Sequence, residues 1–140
     1  MFVVAMATLV MCMTQLTSCT KSDPSPNAQE TVTAKLIANN WKMQGVAVDG
    51  VDQTSVYAGL TIQFAATSYT TTNGKVVWPA SGTWSFTSTD ATTIKRDDGI
   101  EVKVEVTDTT LKLTLTWTKS TLTGGRLESI KGLNVFSFTK

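Results

Sequence analysis

Few residues in this chain have types and spacing suited to chemistry. None of the 140 residues is histidine, which removes the usual general base near neutral pH and the commonest metal ligand. A Ser-His-Asp arrangement is therefore excluded. The only two cysteines, Cys12 and Cys19, both fall near the start, so neither a disulfide across the body of the chain nor a Cys/His metal cluster can form. Asp97-Asp98 next to Gly99 has the composition of a turn, and Asp49-Gly50-x-Asp52 carries too few oxygen ligands for a calcium loop. No metal, no cofactor and no enzymatic activity is expected. The remaining candidate site material is aromatic: Trp41, Phe64, Tyr69, Trp78, Trp84, Phe86, Trp117, Phe136 and Phe138. These rings either line a cavity for a small apolar ligand or fill a core.

Cys19 has its own chemistry. Met1 to Met13 is apolar and uncharged, and at 13 residues it is shorter than the roughly 20 needed to span a bilayer core. Its length suits the apolar region of a signal peptide. The following Leu16-Thr17-Ser18-Cys19 resembles the bacterial lipobox, in which the cysteine thiol is acylated and cleavage leaves that cysteine as the first residue. The expectation is a signal peptide over 1–18, a lipid-anchored flexible tether over 19–27, and a domain over 28–140. Several acyl chains at one terminus hold a protein on a membrane where one alone is marginal. Thr20 after the cysteine, rather than Asp, favours the outer membrane, on its periplasmic face or at the cell surface. Lys and Arg number 12 against 11 Asp and Glu, a net charge of +1, too balanced to point to a nucleic-acid partner. A monomer is expected.

The elements that must position the aromatics follow from hydrophobic period. Asn27-Ala28-Gln29-Glu30 has the form of a capping box opening a short helix, with Val32, Leu36 and Ile37 on one face and Asn39-Asn40 at its end. From Trp41 onward the chain alternates as strands do. Trp41 to Val48 is the first strand, and a loop of about ten residues leads to Leu60, Ile62 and Phe64 on one face of the second. Asn73-Gly74 is a strong hairpin signal; a two-residue turn there pairs Tyr69 with Trp78 across strands 68–72 and 75–78. Pro79 breaks that run, and Gly82 to Phe86 resumes it. Ile100, Val102, Val104 and Val106 alternate with Glu101, Lys103 and Glu105. A three-residue turn at Asp97-Asp98-Gly99 is required to bring Ile94 opposite Val102 and Lys95 opposite Glu101. A turn at Asp108-Thr109 then pairs Glu105 with Lys112 and Val106 with Leu111. Leu111, Leu113, Leu115 and Trp117 alternate cleanly, and the chain closes on Phe136 and Phe138 with Asn134 on their face.

About eight antiparallel strands with tight links favour an up-and-down barrel, with a β-sandwich as the alternative. The helix before the first strand is placed to plug one end, and the loop between strands one and two to cover the other. At this point the chain resembles the lipocalin-like lipoproteins of Bacteroidota. The resemblance rests on Leu36 to Lys42 ("LIANNWK"), Tyr69 to Gly74 ("YTTTNG"), Val77 to Phe86 ("VWPASGTWSF"), Arg96 to Gly99 ("RDDG"), Leu111 to Lys119 ("LKLTLTWTK") and the terminal "VFSFTK". It implies an all-β lipocalin-like barrel on a lipidated envelope protein, in a group whose function is mostly unassigned. In the wider lipocalin group a Gly-x-Trp opens the first strand; here Asn39 stands at the glycine position before Trp41. Asp108-Thr109-Thr110 matches the Asp-Ser/Thr-x pattern of O-glycosylation in Bacteroidota envelope proteins, making Thr109 a candidate acceptor. Two functions are expected from different classes: an anchored barrel that binds a small apolar molecule, or a protein- or glycan-interaction module with a packed barrel.

Overall fold

The computed structural model of the protein describes residues 25–119, 122–123, 126–127 and 130–140. It opens on helix α1 (Ala28–Ile37), capped as expected: the Asn27 side chain accepts from the Glu30 backbone and the Glu30 carboxylate accepts from the Asn27 N–H. Leu36 is buried and Val32 packs half-buried against the core, but Ile37 is 45% exposed. Adjacent helical residues are about 100° apart, so with Leu36 pointing inward Ile37 swings to the flank.

Strands follow in meander order: β1 (Asn40–Val48), the short β2 (Val51–Asp52), β3 (Thr61–Phe64), β4 (Ser68–Thr72), β5 (Ser81–Phe86), β6 (Thr93–Arg96), β7 (Glu101–Val106), β8 (Thr110–Trp117), a two-residue pair β9 (Leu122–Thr123) and β10 (Arg126–Leu127), and β11 (Gly132–Thr139). A 3-10 turn spans Thr54–Tyr57. Each barrel strand pairs antiparallel with its neighbour in sequence, and β11 returns to β1, closing an eight-stranded barrel of β1, β3 to β8 and β11. Closure removes the free edges that a sandwich would leave.

Alternation decides what faces inward. Leu111, Leu113, Leu115 and Trp117 are all buried, while Lys112 and Thr116 between them are exposed. In β1 the register slips between Met43 and Gly45. This bulge explains how Trp41 at an odd position and Val46 and Val48 at even ones all reach the interior. The β6–β7 hairpin pairs Ile94 with Val102 and Lys95 with Glu101, with Gly99 at φ 83°. The β7–β8 hairpin pairs Glu105 with Lys112 and Val106 with Leu111.

One expected hairpin is absent. Lys75 to Trp78 forms a turn rather than a strand, and Tyr69 stands opposite Gly82 of β5 instead of Trp78. Val77 and Trp78 are both buried, which two consecutive residues of one strand cannot be on the same face of a sheet. Here the core outweighs the local Asn-Gly preference. The Trp78 N–H donates to the Gly74 carbonyl (2.9 Å), and Asn73 and Lys75, each at φ 56°, take the left-handed conformations. Gly74 is pressed so closely on Trp78 that a Cβ there would collide with its backbone. Tyr69 and Trp78 still touch, edge to face, with centroids 5.7 Å apart.

The two ends of the barrel differ. α1 lies at the end formed by residues 65–67, 87–92 and 107–109: Gln29 Nε2 donates to Ser88 O (2.9 Å), Lys35 pairs with Asp108 (3.0 Å), and Trp41 Nε1 donates to Leu36 O (2.9 Å). Tyr57 of the 3-10 turn, Trp78 and Arg96 fill the opposite end.

Candidate functional site

Of the nine aromatics singled out from sequence, eight are buried and Phe86 is half-buried. Seven of them touch in one run, Phe86 to Trp84 (5.1 Å between centroids), Trp84 to Phe64 (5.9 Å), Phe64 to Tyr69 (6.4 Å), Tyr69 to Trp78, Trp78 to Phe136 (6.0 Å) and Phe136 to Phe138 (6.4 Å). Most contacts are edge to face, the geometry the ring quadrupole prefers. Tyr57, from the loop between β1 and β3, joins the run against Phe136 at 5.1 Å. Trp41 and Trp117 are buried at opposite ends of the barrel. The rings thus pack on one another through the interior rather than around a wide hollow.

Sequence reasoning passed over Arg96. It is 2% exposed, an unusual place for a charge, and lies over the Trp78 ring at 4.7 Å and near the Tyr69 ring at 5.9 Å. Cation–π contact of this kind strengthens as water is removed. Arg96 is also forked onto Asp98, and its Nη1 donates to Val77 O at 2.7 Å. The hairpin positions both partners: Arg96 ends β6 and Asp98 sits in the turn two residues on, accepting also from the Ile100 N–H at 3.2 Å. Burial pushes the Asp98 carboxyl up. The hydrogen bonds from Arg96 and Ile100, with the charges of Arg96 and Lys119, outweigh that and hold it below the ordinary carboxylate range. The signal for Arg96 was in the pattern, since inward Ile94 at the same parity forces Arg96 inward too.

Around this cluster, several buried polar atoms have no hydrogen-bond partner among the described residues: Tyr69 Oη, Trp78 Nε1, Trp117 Nε1 and Asn134 Oδ1. Burial raises the Tyr69 hydroxyl above its usual range; Arg96 opposes that shift, and Asp97 and Asp98 add to it. The amide of Asn134 does donate, to Ile130 O (2.9 Å) and Gly132 O (3.0 Å).

Two open hollows flank α1. The first, of about 580 Å³, runs between the helix and β5 and is lined by Ala34, Ile37, Ala66, Trp84 and Phe86 with a polar rim of Asn27, Gln29 and Glu30. The second, of about 530 Å³, lies between the helix and the β7–β8 turn and includes Pro26 and Asp108. Thr109 is exposed at that turn. Cys19, the lipobox and the tether up to residue 24 lie outside the described residues. Among the described residues there is no group of three or more metal-ligating side chains, and no helix long and apolar enough to cross a membrane. Comparison with protein families, with curated proteins and with solved structures finds no match to this chain.

Proposed function

We propose that the protein is a non-enzymatic lipoprotein of the cell envelope, held on the outer membrane through acylated Cys19, whose lipocalin-like barrel is a filled scaffold for a protein- or glycan-interaction surface. The single observation that carries this reading is the run of ring contacts through the interior, which occupies the space a carrier would leave open. An eight-stranded barrel is just wide enough to be filled by side chains or to hold one small ligand. An open, largely apolar hollow lies instead beside α1, lined by Trp84 and Phe86 near the point where the tether joins the domain. Thr109, exposed on the same end, is a candidate O-glycan acceptor in this setting. An unchanged glycan mass for Thr109→Ala in the native host would remove it from the account.

Tryptophan fluorescence with a long-chain fatty acid tests the filled scaffold. A filled interior gives no saturable change; a saturable blue shift or quench would transfer the protein to the carriers. A second reading, a barrel that admits one small ligand, is favoured by the buried donors at the Trp78 end that have no hydrogen-bond partner among the described residues.

A further inference from the structure

Trp78 differs from the other interior tryptophans because no strand carries it. Trp41, Trp84 and Trp117 sit in β1, β5 and β8, whereas Trp78 comes from the 73–80 loop. That loop inserts the indole, 1% exposed, between Tyr69 and Phe136 and under the Arg96 guanidinium. Arg96 holds the loop from inside by its hydrogen bond to Val77 O, and the Thr71 hydroxyl holds it from β4 by donating to Pro79 O at 2.8 Å.

The indole is imperfectly matched to this place. Its Nε1–H is buried without a hydrogen-bond partner among the described residues, and so is the hydroxyl of Tyr69, whose ring it touches. A buried polar group left unpaired costs on the order of 1–3 kcal/mol. Left-handed conformations at Asn73 and Lys75, neither of them glycine, add strain to the same loop. The shape of the site suits a flat ring, while its polar groups remain unanswered.

We propose that the 73–80 loop is a plug, and that Trp78 stands in for a small, neutral, ring-bearing ligand with a carbonyl oxygen, which displaces it. This rests on the second reading above, a barrel that admits one small molecule. As the loop leaves, Val77 O leaves with it, which frees Arg96 Nη1 to donate to the ligand oxygen. The Tyr69 hydroxyl is the other donor beside the site. A neutral ligand fits because Asp98 already balances the Arg96 charge, and a second carboxylate there would face Asp98. The ring of the ligand takes the indole's place between Tyr69 and Phe136.

The test uses the ¹⁵N-labelled full chain, titrated with acetophenone and, as its counterpart without the oxygen, ethylbenzene. Trp78→Phe assigns the indole N–H signal. Acetophenone is expected to shift the Trp78 indole signal saturably while the Trp41 signal, bonded to Leu36 O, stays in place. Ethylbenzene is expected to bind at least tenfold more weakly, and Trp78→Ala to bind acetophenone at least tenfold more tightly. Arg96→Met should abolish the preference for acetophenone. A rise in thermal midpoint with an unmoved Trp78 signal overturns the plug and leaves the ligand reading standing. Absence of binding to both the parent chain and Trp78→Ala overturns both. If a variant fails to fold, the parent titration decides alone: equal affinity for the two probes overturns recognition of the oxygen.

Discussion

Arg96 and Asp98 show how one buried charge is made tolerable. The guanidinium is removed from water but meets a carboxylate, a carbonyl and an indole face, so nearly every direction of its field is answered. Removing one partner of such a pair is far more damaging than the net worth of the pair, because a buried charge is left alone. Asp98 is itself partly open to solvent, so Asp98→Asn is expected to destabilise the protein by about 2 kcal/mol, the scale of a hydrogen bond to a charged group, measured as a lower denaturation midpoint in urea. The pH dependence has a defined sign. Because the folded Asp98 carboxyl titrates below its unfolded value, its contribution is fully present above the unfolded pKa of about 3.9. It is lost as pH falls through the lower folded value. The parent should lose stability on acidification below about pH 4 more steeply than Asp98→Asn. Equal acid slopes in the two proteins would remove Asp98 from the acid response.

Among the elements, the hairpins divide sharply by what their turns must bury. At Asp97-Asp98-Gly99 the turn is exposed and the strands on both sides need one phase, so the pairing of Ile94 with Val102 and the left-handed Gly99 were legible from sequence. A Cβ at Gly99 meets no atom within 4 Å, so Gly99→Ala tests backbone conformation alone. It should cost about 1 kcal/mol and lower the thermal midpoint by a few degrees. An unchanged midpoint would mean the turn tolerates a different geometry. At Asn73-Gly74 the turn chemistry was as favourable, yet the hairpin did not form, because Val77 and Trp78 both had to enter the core. Residues 75–78 alone contain no mark of that demand, which comes from the hole between Tyr69 and Phe136. The capping box of α1 was legible for the opposite reason, since both of its hydrogen bonds are local. Ile37 was misplaced because the period fixes spacing but not which flank a barrel covers. Tyr57 was hidden in a loop whose 3-10 turn has no alternation to reveal it.

For the whole molecule, the barrel was legible in alternation and short links, because tight links make neighbours in sequence neighbours in the sheet, and each strand then turns its apolar face to one shared interior. The candidate site was legible in its residue types but not in its arrangement. Nine aromatics were marked, yet that seven of them contact ring to ring, with Arg96 among them, depends on contacts between distant strands. The asymmetry of the ends gives the molecule a direction. α1 and the start of the described chain lie at one end, and the Trp78–Arg96 cluster lies at the other. A lipid on Cys19 would join the domain through eight residues, at most about 28 Å of extended chain, so the α1 end would face the membrane and the Trp78 end would face away. The intact mass of the protein extracted from envelopes of its native host tests the proposed anchor on Cys19 most directly. The account predicts a chain beginning at Cys19 with the added mass of acyl groups on that residue, and no such species for Cys19→Ala. An unacylated chain, or one whose first residue is not Cys19, would contradict it.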